Sequence, residues 1–135
     1  MYKIGIIQKI HDKGIELLDA HKDFEYEIID DVSEENLLKK IEKIRLSAAL
    51  KMGMGDVSGK VLPKFALLSK PLNGGSITSR YFTPNTCHET HAATGTNCIA
   101  AACLIPGTIA SKISNIKASG EDTILVEHPL GTIQC

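Results

Sequence analysis

The stretch Ala92-Ala93-Thr94-Gly95-Thr96-Asn97-Cys98-Ile99-Ala100-Ala101-Ala102-Cys103-Leu104 decides the fold. Nearly every residue in it is small or apolar, it carries no charge, and Pro106-Gly107 ends it. A helix that is apolar around its whole circumference is expected to be covered on all sides. The segments around it read as strands. Lys64–Leu68 follows Pro63, and Ser76–Phe82 alternates and is rich in strand formers. Pro71–Gly75 between them is a turn. Asp122–Val126 is a further strand, and Glu127-His128-Pro129 leads to a turn at Gly131. The expected unit is a set of strands with a buried helix among them.

Towards the N-terminus the composition changes. Residues 1–44 hold 7 Lys and 11 Asp/Glu, with no Pro or Cys. Residues 45–135 hold 8 Lys/Arg and 5 Asp/Glu, with all five Pro and all four Cys. Such asymmetry divides the chain into a charged leader, 1–44, and a more buried unit, 45–135. In the leader, Lys3–Ile7 reads as a strand, Asp12 as a cap for a helix carrying Ile15, Leu17 and Leu18, and Phe24–Ile29 as a second strand. Ser33 is the next N-cap, with Glu34 and Glu35 where the helix dipole favours acid. Leu37, Leu38, Ile41, Ile44, Ala48 and Met52 then form one apolar stripe. It predicts a single helix from Glu34 to Met52, ended by Gly53 or Gly55 and crossing the compositional break. The fold class is α+β, with a β-α-β-α leader joined by this long helix to the second unit.

Composition excludes several functions. The chain has 135 residues and a net charge of -1, so it presents no general field for nucleic acid. Aromatics are 4% and Trp is absent, which argues against base-stacking platforms. No apolar run is long enough for a membrane span. The first residues make a poor signal peptide, and four scattered Cys fit a reduced, cytoplasmic setting better than a disulfide framework.

Residues from about 43 to the C-terminus resemble the PrpF-like isomerases, which include 4-oxalomesaconate tautomerase. The resemblance rests on Ile44-Arg45-Leu46, Met52-Gly53-Met54-Gly55-Asp56-Val57, Pro63-Lys64, Gly74–Phe82, Cys87-His88, Ala93-Thr94-Gly95, Ile105–Thr108 and Glu127–Gly131, in that order. It implies a diaminopimelate-epimerase-like fold, with a sheet wrapped around a buried central helix, and a cofactor-independent proton shift in a small di- or tricarboxylic acid. It also implies that this chain carries most of a second domain. The family's principal catalytic Lys and Cys lie in the first domain, and residues 1–44 offer no counterpart. Met1–Ile7 and the pattern after it are similar instead to the start of a D-isomer-specific 2-hydroxyacid dehydrogenase. The alternatives are therefore a fragment of that lineage or a non-catalytic fused remnant. An incomplete domain is expected to self-associate or to be marginally stable, because it exposes apolar surface and strand edges.

Candidate site residues follow from the small-residue helix and its surroundings. Thr94, Gly95, Thr96 and Asn97 offer small side chains and backbone N–H groups to an anionic substrate. The competing reading of Gly95 is tight helix packing. Cys98 stands near the place where epimerase relatives carry a catalytic thiol, and its bland reading is a small core residue. His88 is a candidate for carboxylate contact or helix capping, and Arg80 for bidentate carboxylate binding. Cys87, His88 and His91 match no standard zinc spacing, so no metal is assigned. Gly53–Gly59 has the spacing G-x-G-x-x-x-G after a helix rather than a strand, which argues against nucleotide binding. No cofactor is expected.

Overall fold

A computed structural model describes residues 2–7, 10–84, 86–116 and 123–135. The chain forms two compact units, Met1–Lys40 and Ile41–Cys135. In the first, β1 (Tyr2–Ile6) and β2 (Phe24–Ile28) pair in parallel, with Tyr2 opposite Phe24 and Ile6 opposite Ile28. Parallel neighbours need a crossover, and α1 (Asp12–Asp19) supplies it. The cap of α1 is His11 rather than Asp12. His11 Nδ1 accepts the Lys13 N–H at 3.2 Å, which leaves Asp12 as the first helical residue, where its charge favours the dipole.

Helix α2 (Glu34–Lys51) starts where Ser33 Oγ accepts the Asn36 N–H at 3.3 Å. It ends on Gly53, at φ +75°, whose N–H reaches Leu50 O while the Met54 N–H reaches Ala49 O. The expected apolar stripe and the buried line share only Ile41. Ile41, Arg45 and Ala49 are buried, whereas Leu37, Ile44 and Met52 are exposed. An arginine can occupy the buried line because every part of its guanidinium is paired. Glu42 takes two bonds at 2.7 and 2.8 Å, Leu62 O one at 2.8 Å and Val57 O one at 3.2 Å. Hydrophobicity alone reads that position as surface.

The second unit is built on a mixed five-stranded sheet. Its strands are β3 (Phe65–Ser69), β4 (Ile77–Thr83), β5 (Thr86–Cys87), β6 (Leu125–His128) and β7 (Gly131–Gln134). The order is β3-β4-β6-β7, with β5 paired to β4. Strand β4 runs antiparallel to β3 and parallel to β6. Of the strand read at Asp122–Val126, Asp122 lies outside the described residues. Helices α3 (Ala93–Leu104) and α4 (Ile109–Ile113) complete the unit. Ile99, Ala100 and Cys103 of α3 meet Ile77 and Val126 of the sheet, with Ala110 and Ile124 closing the core.

Helix α3 is not covered all round. Thr96, Ile99, Ala100 and Cys103 are buried, but Thr94, Asn97, Cys98, Ala101 and Leu104 are exposed, Leu104 by 64%. The buried positions follow ordinary amphipathic spacing. Alanine, threonine and cysteine on the other flank are apolar or small enough to hide that spacing in the sequence, and they cost little when left in water.

The two faces of β4 differ in what they hold. Ile77, Ser79 and Tyr81 face α3. Thr78, Arg80 and Phe82 alternate to the opposite face, with Glu127 beside Thr78 in the register. Glu127 is fully buried and accepts the N–H groups of Leu72, Asn73 and Gly75 at 2.7 to 2.8 Å, together with the Thr78 hydroxyl. Gly75 is required for this closure, since a Cβ there would stand 2.6 Å from the Glu127 side chain. The Leu72–Gly75 turn is thus shaped by one carboxylate.

Candidate functional site

The beginning of α3 lies against β4 through a small polar knot. His91, just before the helix, is buried, and its Nε2 lies 3.1 Å from Ser79 Oγ on β4. Its Nδ1 lies 3.1 Å from Ala92 O and 3.0 Å from Thr96 Oγ1. A neutral ring with the proton on Nδ1 satisfies this set, donating to Ala92 O and accepting from Ser79. Burial lowers the His91 pKa, in keeping with a neutral ring, and nearby His88 and His128 act in the same direction. Ser79 and Thr96 are buried with it.

Tyr81 packs on the His91 ring with centroids 4.5 Å apart. The space it fills exists because residue 95 is glycine. A Cβ at Gly95 would lie 2.6 Å from the Tyr81 ring and 3.1 Å from His91. The packing reading of Gly95 is therefore met by the structure, and the same contact carries Tyr81 into a cavity.

That cavity, of about 330 Å³, is lined by Lys64, Ala66, Tyr81, Thr94, Gly95 and Cys98, among others. Three of the residues read as site candidates meet there: Thr94, Gly95 and Cys98. The N-cap of α3 is Ala92, which supplies no side-chain cap. The leading N–H groups of the helix therefore have no side chain of their own to bind. Tyr81 is only 6% exposed, and burial raises its pKa, with the Cys98 sulfur adding to the shift. The phenol is thus neutral at ordinary pH and able to donate.

The other candidates lie elsewhere. Thr96 is turned into the core and holds His91 and Ala92 O. Asn97 is exposed, and its Oδ1 accepts from the Cys135 thiol at 2.9 Å. His88 Nδ1 accepts the Thr90 N–H at 3.1 Å and so braces its own turn. Arg80 is on the sheet face away from α3 and donates to Ser79 O at 3.1 Å. Cys87, His88 and His91 do not converge on a common point for a metal, since the two imidazoles are engaged with different partners. Sequence reading missed Lys64, Tyr81 and the Ser79–His91 pair. The available signal was alternation along β4, which puts Ser79 and Tyr81 on the helix-facing side.

The sheet, the helix α3 packed on it and the cavity at its leading turns define an α+β protein with a pocket of small-molecule size. Residues 19–135 match the family described as PrpF protein, and the chain belongs to that family. Among similar proteins, YbhH of Escherichia coli (strain K12) is 43% identical over 97 residues, covering 72% of this chain and 27% of YbhH. The (4E)-oxalomesaconate Delta-isomerase of Novosphingobium sp. (strain KA1) is 38% identical over 99 residues, 73% of this chain and 28% of that protein. The 4-oxalomesaconate tautomerase of Pseudomonas putida is 37% identical over 107 residues, 78% and 30% of the respective lengths. The chain thus spans less than a third of these relatives. The crystal structure of methylitaconate-delta-isomerase superposes with a TM-score of 0.68 at 23% identity, over 98% of this chain and 36% of that one, which establishes likeness of fold. No described helix is long and apolar enough to cross a membrane.

Proposed function

We propose that this chain contributes one wall of a site that isomerises a small di- or tricarboxylic acid of the oxalomesaconate kind. The observation that carries the reading is that Thr94, Gly95 and Cys98 line a single cavity at the uncapped start of α3, in a chain of the PrpF family. The relatives named for oxalomesaconate isomerisation and tautomerisation support the substrate class.

The chemistry is redox-neutral. A base removes a proton from a carbon next to a carbonyl, the electron pair moves through the conjugated system, and a proton is returned at its far end. It requires a group that accepts and returns a proton, and donors for the enolate-like oxygen. Cys98 serves as the proton-transfer group. The first N–H groups of α3 and the Lys64 ammonium serve the negative charge.

Deuterium exchange tests this reading. Purified chain incubated with 4-oxalomesaconate in deuterated water is expected to label the substrate above the protein-free rate. Cys98→Ser is expected to lower the labelling by about 100-fold or more, the usual size of a lost acid–base group. Labelling that persists undiminished in that variant, or no labelling by the folded wild-type chain, overturns the reading.

A further inference from the structure

Tyr81 lines the cavity, and its polar atom has no hydrogen-bond partner among the described residues. The side chain is more than nine-tenths buried, and no hydrogen bond among the described residues reaches its phenol oxygen. Buried tyrosines ordinarily find a partner for the hydroxyl. No described buried side-chain oxygen or nitrogen lacks a partner, so this hydroxyl keeps some accessible surface, and Tyr81 lines the cavity. Three features hold it there. The ring packs at a tilt against His91, His91 is tied to Ser79 and Thr96, and Gly95 makes room for the ring edge. A rigidly held donor with no acceptor among the described residues, in a cavity that Lys64 and the start of α3 also line, is arranged for an anionic oxygen.

We propose that Tyr81 is a ligand-contacting residue, donating its phenol hydrogen bond to a carboxylate or enolate oxygen of the molecule bound between β4 and the start of α3. This deepens the isomerase reading and rests on it for the substrate class. The phenol is suited to the role because burial keeps it protonated. His91 acts through it as a positioning residue, since it fixes the ring plane without lining the cavity itself.

The full chain, with its three tyrosines labelled at the phenol carbon, is titrated with maleate as a small dicarboxylate probe. The Tyr81 resonance is expected to move while those of Tyr2 and Tyr26 stay fixed. Tyr81→Phe is expected to keep the wild-type melting temperature, because the lost hydroxyl has no protein partner. The variant should bind maleate about tenfold more weakly, as for one hydrogen bond to a charged acceptor. A wild-type Tyr81 signal unmoved by saturating maleate overturns the proposal without recourse to any variant. So does unchanged affinity in Tyr81→Phe. Tyr81-dependent maleate binding with no deuterium exchange would leave the recognition claim standing and remove the catalytic reading. Exchange at the wild-type rate in Tyr81→Phe would remove the recognition claim and leave the catalytic reading intact.

Discussion

Strand β4 places a polar group on each of its faces and treats the two in opposite ways. On one face Thr78 helps to saturate Glu127, a carboxylate that accepts four hydrogen bonds and stays charged. On the other face Tyr81 is kept neutral, and its hydroxyl has no hydrogen-bond partner among the described residues. A buried group whose bonding capacity is filled by the chain is part of the scaffold. A side chain held rigidly with an accessible hydroxyl and capacity to spare points to something outside the chain. The most buried charge in this unit is therefore a structural element, and a phenol with less to distinguish it in the sequence is the better functional candidate.

Removing the saturated group should have the largest effect. Glu127→Gln keeps the volume but places an NH₂ among four donors, and is expected to cost on the order of 3 kcal/mol. The same contrast appears in pH dependence. Desolvation alone would raise the Glu127 pKa, but the Thr78 hydroxyl and the three backbone N–H groups outweigh it and lower the value from 4.5 to about 2. A depressed folded-state pKa contributes stability that is complete above the unfolded value and lost as pH falls through the folded one. The loss therefore runs from about pH 4.5 towards pH 2, and its size is roughly 3 kcal/mol at 1.36 kcal/mol per unit. Urea unfolding at a series of pH values should show this acid limb in the wild type and lose it in Glu127→Gln. Equal stability of the two proteins at pH 7 would break the assignment of Glu127 to the scaffold.

Local signals were legible in the sequence to different degrees. The β-α-β-α order, the α2 stop at Gly53 and the strands around Pro71–Gly75 follow from short-range rules: capping, alternation and glycine's access to positive φ. Burial was legible only where hydrophobicity marks it. Arg45 is buried because Glu42 and two distant carbonyls satisfy it, and no local pattern announces carbonyls 12 and 17 residues away. The exposed flank of α3 was unreadable for the converse reason, since Ala101 and Cys98 resemble core residues in composition. The resemblance of the leader to a dehydrogenase N-terminus rests on a strand and helix common to many α/β proteins. The family match begins at Asp19, the last residue of α1. Of the cavity lining, Thr94 and Gly95 were singled out from the small-residue helix and Cys98 from the family resemblance, while Tyr81 and Lys64 required knowledge of which strand lies beneath the helix.

A smaller effect probes the unsaturated face. Gly95→Ala gains up to about 1 kcal/mol in helix propensity, yet its Cβ meets the Tyr81 ring at 2.6 Å. The neighbouring atoms are a ring and the His91 imidazole, both pinned, so overpacking of about 1–3 kcal/mol is expected. The net result should be a loss of about 1–2 kcal/mol in thermal unfolding, together with weaker maleate binding as the phenol is displaced. A stabilised Gly95→Ala protein with full affinity would show that the ring is free to move, and the rigidity on which the Tyr81 argument depends would be gone.

The smallest effect is expected at Arg80, the cation that the sequence offered first as a carboxylate ligand. Register places it opposite Leu67 on β3, on the face shared with Phe82, while Tyr81 lies opposite Ala66 on the face that meets α3. Among the described residues the arginine bonds only its neighbour's carbonyl, Ser79 O. Its charge is thus separated from the cavity by the sheet itself, and salt screens what remains beyond a Debye length of roughly 8 Å. Arg80→Gln should change stability by less than about 0.5 kcal/mol and leave maleate affinity unaltered at physiological salt. Any small weakening at low salt should fade as salt is added, which is the mark of a distant charge. A loss of about tenfold that survives salt would mean that the guanidinium reaches round the sheet edge to the ligand, and the division of β4 into a scaffold face and a binding face would fail.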